Sequence, residues 1–281
     1  MIYDAIIVGV GPAGCSAAIY LTRQNFNVLL IGKAVDSQLY KAHEIENYYG
    51  FRNGISGEKL ITDGINQVKR LGATVVEEQV INIKNDEFFE VKTEKNSYQS
   101  KTILFATGKA KASLRVKGFN SLVGKGISQC VLCDGFFFRN KEVAIIGSGA
   151  YLKEELHDLT TITNKITVFT NDEIEGFPVI KEDIVEFMKP FDKVIIKTTN
   201  NSYHFDGVFI ALDNPGAQTF ASKLGITMEN NNIIVDENYM TNIDGIFAAG
   251  DIVGGLAQIF KAVYDGSNAG LKMISYLRKK K

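Results

Sequence analysis

Tryptophan is absent from this chain, and only four prolines, three cysteines and three histidines are spread over its 281 residues. Three cysteines are too few for a disulfide framework. A structural zinc site needs four ligands. Cys15, Cys130, Cys133, His43, His157 and His204 are too scattered to supply them, so no metal is expected. No apolar run approaches the roughly 18 residues of a membrane-spanning helix. The net charge of −1 carries no basic excess that would call for nucleic acid or an anionic membrane surface. The start, MIYDAIIVGVGPAG, has no basic leader region and runs straight into a fold motif. A cytoplasmic protein without a signal peptide is therefore expected. What is abundant is glycine, 26 residues in a chain that is 45% hydrophobic and 22% charged. That is globular composition, long enough for two domains of about 100–150 residues each.

The glycines fall in patterns. DAIIVG is a short β-branched apolar run of the kind buried on both faces of a parallel sheet. It leads into GVGPAG, a helical stretch CSAAIYLTRQN and a second apolar run NVLLIG. A strand, a GxGxxG turn, a helix and a strand form the dinucleotide-binding fingerprint in its required context. Gly9 permits the tight turn, Gly11 lets backbone approach a pyrophosphate, and Gly14 lets the helix pack on the strand. The second strand ends in Gly32-Lys33, where a ribose-binding acid often stands. That weakens an NAD reading of this site and leaves FAD open.

Further along, DSQLYKAHEIENYYGF reads as a loop covering a cofactor. Residues 56–71 carry helical periodicity, and 75–98 read as a small β-meander. KTILFATG returns as a buried strand. EVAIIGSGAYLKEELHDL repeats the strand, Gly turn and helix of the N-terminus, so a nucleotide-binding unit is duplicated. VIKEDIVEFMKPF reads as helical, DKVIIKTTNNSYHFDGVFIAL as two or three strands, TNIDGIFAAGD as strand and turn, and the C-terminal stretch as a long helix. The fold expected is α/β, with two Rossmann-like nucleotide-binding domains.

Between the two glycine turns lies SQCVLCDGFFFRN. Cys130 and Cys133 can close one small disulfide ring, and Asp134 directly after them can carry protons for it. A lone C-x-x-C in a cytosolic chain is catalytic or metal-binding, and the missing ligands argue for redox chemistry. Cys15, inside the first helix pattern, reads as a small buried hydrophobe.

The order GVGPAG, QL, ENYYGF, ATG, CVLCDGFFFRN, GSG, GIFAAGD and AQ resembles the low-molecular-weight flavoprotein thioredoxin reductases over nearly the whole chain. The resemblance implies an FAD domain of residues 1–111 and 235–281, with a disulfide-bearing, NAD(P)-like domain of 112–234 inserted in it. It places FAD on Gly9, Gly11, Ala13 and Gly14, lined by Gln38, Asn47, Thr107 and Gly108. Gly250 and Asp251 in the GIFAAGD motif and Gln258 complete the set. Ala257 replaces the arginine usual before that glutamine. It implies that Cys133 faces the flavin, that Cys130 attacks a thioredoxin and that Asp134 is the general acid/base. It also implies a homodimer.

The second nucleotide site departs from the family pattern. Leu152 stands where a small residue is expected, and Tyr151 where a small hydroxyl residue is usual, over the expected pyrophosphate path. TNDEIEG brings Asp172, Glu173 and Glu175 where arginines would grip a 2′-phosphate. A hairpin is expected to be missing around IIKTTNNSYHF, and Leu212 replaces a glycine. These departures are similar to a branch of the family that lacks NADPH binding and takes electrons from ferredoxin. A reductase fed by NADPH or NADH is the alternative, and a second flavin in the emptied site is a third possibility. The basic stretch Lys109, Lys111, Arg115, Lys117 and Lys125 is a candidate docking surface for an acidic ferredoxin.

Overall fold

The structure is a computed structural model. It describes all residues except 38, 41, 43, 109–113, 115, 129–130, 213–216 and 281, and the side chains of 132, 133, 217 and 218. Gln38, His43, Lys109, Lys111, Arg115 and Cys130 thus lie outside the described residues, as does the side chain of Cys133. The helices are α1 (Pro12–Arg23), α2 (Gly57–Arg70), α3 (Phe119–Leu122), α4 (Val131–Asp134), α5 (Gly149–Thr160), α6 (Ala217–Leu224) and α7 (Ile259–Lys279). Among the described residues no helix is long and apolar enough to cross a membrane.

The chain folds into two compact units, Met1–Ala110 with Gly216–Lys281, and Lys111–Pro215. It returns to the first unit at Gly216 and not at residue 235. The reason is packing: Phe220, Ala221, Ile226 and Ile233 are buried in the same cluster as Ile6, Phe105 and Ile246.

In the first unit five strands run parallel in the order Ile246–Ala248, Ile103–Phe105, Ala5–Val8, Val28–Ile31 and Thr74–Val76. These strands are apolar because both faces are covered. α1 lies on one face, and α7 crosses α1 so closely that only glycine fits. A Cβ on Gly266 would stand 2.0 Å from the Ala13 carbonyl oxygen. α2 starts where the Ser56 hydroxyl accepts the Lys59 N–H at 3.2 Å, and its Ile61, Ile65 and Val68 form the buried face.

The second unit repeats the plan. Five parallel strands run Ile127–Ser128, Gly207–Ala211, Val143–Gly147, Ile166–Phe169 and Val179–Ile180. Each unit adds an antiparallel meander. Val80–Asn85, Phe89–Thr93 and Ser97–Ser100 form it in the first, and Ile184–Met188, Val194–Thr198 and Ser202–Phe205 in the second.

The meanders share one clasp. The Thr93 hydroxyl donates to Glu78 at 2.5 Å and Asn96 Nδ2 to the other oxygen of Glu78 at 2.9 Å. Thr198 and Asn201 hold Glu182 in the same way. The duplication thus extends below the sheets to individual hydrogen bonds.

Two expectations are corrected. VIKEDIVEFMKPF is not helical: Val179–Ile180 is the parallel edge strand, and Ile184–Met188 pairs with Val194–Thr198. Ile180, Ile184 and Met188 recur at helical spacing, but Phe187 needs a sheet face to reach the core beside Phe119 and Ile196. Nor is the hairpin around IIKTTNNSYHF missing. Val194 to Lys197 pair antiparallel with Phe205 to Ser202.

Candidate active site

The first glycine turn has the shape of a phosphate cradle. Gly9 sits at φ +118°, and a Cβ there would meet the Ala106 carbonyl oxygen at 2.3 Å. A Cβ on Gly14 would meet the Gly9 carbonyl oxygen at 1.9 Å, so both glycines are sterically required. Gly11 differs, with nothing within 4 Å of its missing Cβ. Its side faces open space at the start of α1, where no side chain caps the helix. The first N–H groups of α1 are thus open to an anion. Ala13 is buried at the α1–α7 crossing, with Gly250 packed against it. Thr107 and Gly108 follow the strand Ile103–Phe105, next to this turn in the sheet. In the loop expected to cover a cofactor, Ile45 pairs with Ile55 in a short antiparallel bridge.

The C-terminal motif builds the other wall. Gly250 and Gly254, at φ +84° and +85°, bracket a single helical turn over Asp251–Val253. Asn47 Nδ2 donates to Gln258 Oε1 at 3.2 Å, joining two predicted site residues 211 positions apart. Lys261 Nζ donates to the carbonyls of Gly250 at 3.0 Å and Gly254 at 2.5 Å, and pairs with Asp265 Oδ2 at 2.7 Å. Asp265 also accepts the Gly250 N–H at 3.2 Å and the Tyr239 hydroxyl at 3.1 Å. Burial, reinforced by Asp265, pushes the Tyr239 hydroxyl up to about 12, so it remains a donor.

Around the cysteines, the structure describes what holds the segment. α4 follows the strand Ile127–Ser128, the element that in sheet order corresponds to Ile246–Ala248 before Gly250. The Ser128 hydroxyl donates to Asp134 Oδ2 at 2.6 Å, a bond made to a carboxylate acceptor. The Val131 N–H donates to Glu155 Oε2 at 3.0 Å, and Glu155, on α5, is only 1% exposed. Phe136 and Phe137, directly after α4, stand 68% and 67% exposed, with Arg139 over the Phe136 ring at 5.4 Å. Cys15 is buried in the first unit; its thiol donates to the Val10 carbonyl at 3.2 Å, and burial pushes it up to about 12.

The second glycine turn is furnished differently. Gly147 is required, since its Cβ would lie 2.0 Å from the Ala211 carbonyl oxygen. At the start of α5, however, the Gly149 N–H donates to Asp172 Oδ2 at 2.6 Å. The Thr170 hydroxyl holds the Asp172 backbone N–H at 3.1 Å. The helix end that would receive a phosphate receives this chain's own carboxylate. Tyr151 is 3% exposed and Leu152 fully buried, both in the first turn of α5. Asp172 thus stands at the N-terminal end of α5. Leu212 packs against the cluster of Ile146, Phe169 and Val208. Of the basic stretch, Lys117 pairs with Glu186 at 2.7 Å.

A cavity of about 440 Å³ elsewhere in the first unit is lined by Asp4, Lys101, Asp244 and Lys280. Lys101 pairs with Asp4 at 2.8 Å and Lys280 with Asp244 at 2.9 Å, and Asp86 and Glu87 also line it. Neither glycine turn nor the cysteine segment lines it.

Two Rossmann-like units, one with an open dinucleotide cradle and one carrying C-x-x-C, define a flavin-dependent disulfide oxidoreductase. The family model "Pyridine nucleotide-disulphide oxidoreductase" matches residues 3–174 and 152–266. A thioredoxin reductase of Listeria innocua is 34% identical over 306 aligned positions, covering 100% of this chain and 95% of that one. Among solved structures, the atypical thioredoxin reductase TRi from Desulfovibrio vulgaris Hildenborough has a TM-score of 0.88 at 29% identity, covering 99% of both chains. A ferredoxin-flavin thioredoxin reductase from Clostridium acetobutylicum has a TM-score of 0.70 at 29% identity, covering 99% of this chain and 98% of that one. The chain belongs to the low-molecular-weight thioredoxin reductase family, and its cofactor is FAD. The open side of Gly11 and the uncapped start of α1 fit that cofactor.

Sequence reasoning missed Lys261, Asp265, Ser128 and Glu155. The Lys261–Asp265 spacing of four in a helical stretch was a visible signal for an ion pair. No local pattern tied Glu155 to Val131.

Proposed function

We propose that this protein reduces thioredoxin through FAD and a Cys130–Cys133 disulfide, with reduced ferredoxin as electron donor. The observation that carries the choice of donor is the Asp172 carboxylate on the Gly149 N–H. A dinucleotide pyrophosphate seeks that N–H, and an anion already bound there repels it. A 2′-phosphate beside Asp172, Glu173 and Glu175 also forgoes charge-assisted bonds worth about 1.5–3 kcal/mol each. The ferredoxin-flavin enzyme of Clostridium acetobutylicum, similar over 99% of the chain, supports the same reading.

Bound FAD supplies a carrier that one-electron donors can charge and that can deliver an electron pair. The chain's residues do the rest. The Cys130–Cys133 bond accepts two electrons and, with two protons, becomes a dithiol. Asp134, oriented by Ser128, is the group that gives and takes protons at the thiols. The Cys130 thiolate attacks a thioredoxin disulfide, forming a mixed disulfide and releasing one thioredoxin thiolate. The Cys133 thiolate then attacks the Cys130 sulfur, frees the dithiol thioredoxin and re-forms the internal bond. Phe136 and Phe137 offer a protein substrate an exposed aromatic surface beside α4. With plant-type ferredoxins near −400 mV and thioredoxin near −270 mV, two electrons release about 6 kcal/mol.

FAD is held by Gly9, Gly11, Ala13, Gly14, Gln38, Asn47, Thr107, Gly108, Gly250, Asp251 and Gln258. The FAD domain comprises residues 1–111 and 235–281 extended back to Gly216, and the remainder is inserted in it. We place the protein in the cytoplasm as a homodimer. Phe260, Tyr264 and Leu271, exposed along α7, support a second copy as partner.

Anaerobic stopped-flow tests the donor. Reduced ferredoxin is expected to bleach the flavin and, with thioredoxin present, to yield its dithiol. NADPH and NADH are expected to leave the flavin oxidised. Fast bleaching by either nicotinamide establishes the alternative, a nicotinamide-dependent reductase.

A further inference from the structure

The Gly250–Gly254 turn closes on itself, with the Val253 N–H on the Gly250 carbonyl at 3.2 Å and the Gly254 N–H on the Asp251 carbonyl at 3.0 Å, and both bracketing glycines have positive φ. Those bonds shape the turn but do not fix where it stands relative to α7. Two side chains of α7 tie it to that helix. Asp265 takes the Gly250 N–H at 3.2 Å, and Lys261 takes the Gly250 carbonyl at 3.0 Å and the Gly254 carbonyl at 2.5 Å. The two side chains pair at 2.7 Å, with 19% and 6% of their surfaces exposed. Both ends of the turn that carries Asp251 are thereby tied to the first turns of α7, the helix that Gln258 opens. Tyr239 closes the set from outside the helix, donating to the second oxygen of Asp265.

We infer that the Lys261–Asp265 ion pair is a positioning device for FAD, which sets the Asp251 turn and orients it relative to Gln258. Neither residue needs to touch the cofactor. The inference rests on the assignment of Gly250, Asp251 and Gln258 to FAD. Lysine suits this place because its ammonium has three donors and no acceptor, and it meets three acceptors here. An arginine fork is flatter and larger and cannot repeat that arrangement. Removing Lys261 alone leaves the Asp265 carboxylate buried without its counter-charge, which is the costly half of breaking a buried pair. Removing both charges together spares that cost.

The test is a cycle of Lys261→Met, Asp265→Asn and the double variant, with Asp251→Ala and Lys261→Arg alongside. Each apoprotein is titrated with FAD by flavin fluorescence, the visible circular dichroism of the bound flavin is recorded, and melting is followed without FAD. Lys261→Met is expected to raise the FAD dissociation constant about tenfold or more, equivalent to about 1.4 kcal/mol. It is also expected to change the flavin dichroism. The double variant is expected to bind FAD more tightly than Lys261→Met, and Lys261→Arg to recover only part of the loss. If Lys261→Met does not fold, the double variant and Lys261→Arg carry the test by the same two readouts. FAD binding and dichroism unchanged within about twofold, a free-energy change of about 0.4 kcal/mol, in the variants that fold would overturn the inference. So would a loss of FAD affinity in proportion to apoprotein melting alone. If Asp251→Ala also leaves FAD binding unchanged, the site assignment itself fails. If it weakens binding while the Lys261 variants do not, only the positioning role fails.

Discussion

At the scale of residues, burial sets Cys15 apart from the proposed redox pair Cys130 and Cys133. Cys15 is a core side chain in α1, packed near Gly64 of α2, with its thiol on the Val10 carbonyl. Burial raises its pKa from 9.0 to about 12. A raised thiol pKa means that the folded state favours the protonated form. That stabilisation is complete below pH 9 and is lost as pH climbs from 9 toward 12. Each pKa unit corresponds to about 1.4 kcal/mol, so the loss is on the order of 4 kcal/mol. Chemical denaturation between pH 8 and about 11 is expected to show a steeper decline for the wild type than for Cys15→Ala. With the protein folded and reduced at pH 8, iodoacetamide is expected to label Cys130 and Cys133 and spare Cys15, as peptide mapping will read. Labelling of Cys15 at the same rate would contradict the burial argument. The burial of Cys15 was legible early as a cysteine among apolar helix residues, and C-x-x-C followed by Asp is the redox pattern on which the proposed role of Cys130 and Cys133 rests.

At the scale of elements, the same local devices recur in both units but end in different chemistry. Thr93 is 2% exposed and donates to the buried Glu78 alongside Asn96. Thr93→Val is expected to cost about 1–3 kcal/mol by stranding that carboxylate oxygen, measured as a shift of the urea midpoint. Leu152, in the first turn of α5, is fully buried, and Leu152→Ala is expected to cost about 2–5 kcal/mol without creating nicotinamide binding. Acquisition of NADPH binding by that variant would show that Leu152, and not Asp172, closes the site. The strand Ile184–Met188 shows why the meander of the second unit resisted sequence reading. Its apolar residues recur at helical spacing, and only pairing with Val194–Thr198 chooses the extended form. Long-range partners override such weak local preferences.

Across the whole molecule, two copies of one plan diverge at their helix N-termini. α1 begins uncapped with open space beside Gly11, whereas α5 begins on Asp172. The first is open to an anion, and the second already holds this chain's own carboxylate. Equilibrium dialysis with ADP is expected to show no binding at α5 in the FAD-loaded protein, and saturable binding there would refute the closed-site reading. Sedimentation is expected to show a dimer that Tyr264→Lys weakens, since a charge on the exposed row of α7 opposes burial against a second copy. A stable wild-type monomer would remove the homodimer from the proposal.

The linear chain by itself determined most of the strands, though not Val179–Ile180 and Ile184–Met188, together with the two glycine turns, the C-x-x-C-D string and the duplication, because each is written in neighbouring residues. It also determined the family, whose motifs are local strings. Tertiary structure alone decided that Asn47 meets Gln258, that residues 217–234 belong with the first unit and that Asp172 reaches Gly149. It also decided that Lys261 and Asp265 tie down both ends of the Asp251 turn. Each of those contacts joins residues whose separation in sequence carries no period. Backbone and core packing bring them together, and only then do hydrogen bonds and charge settle what each does.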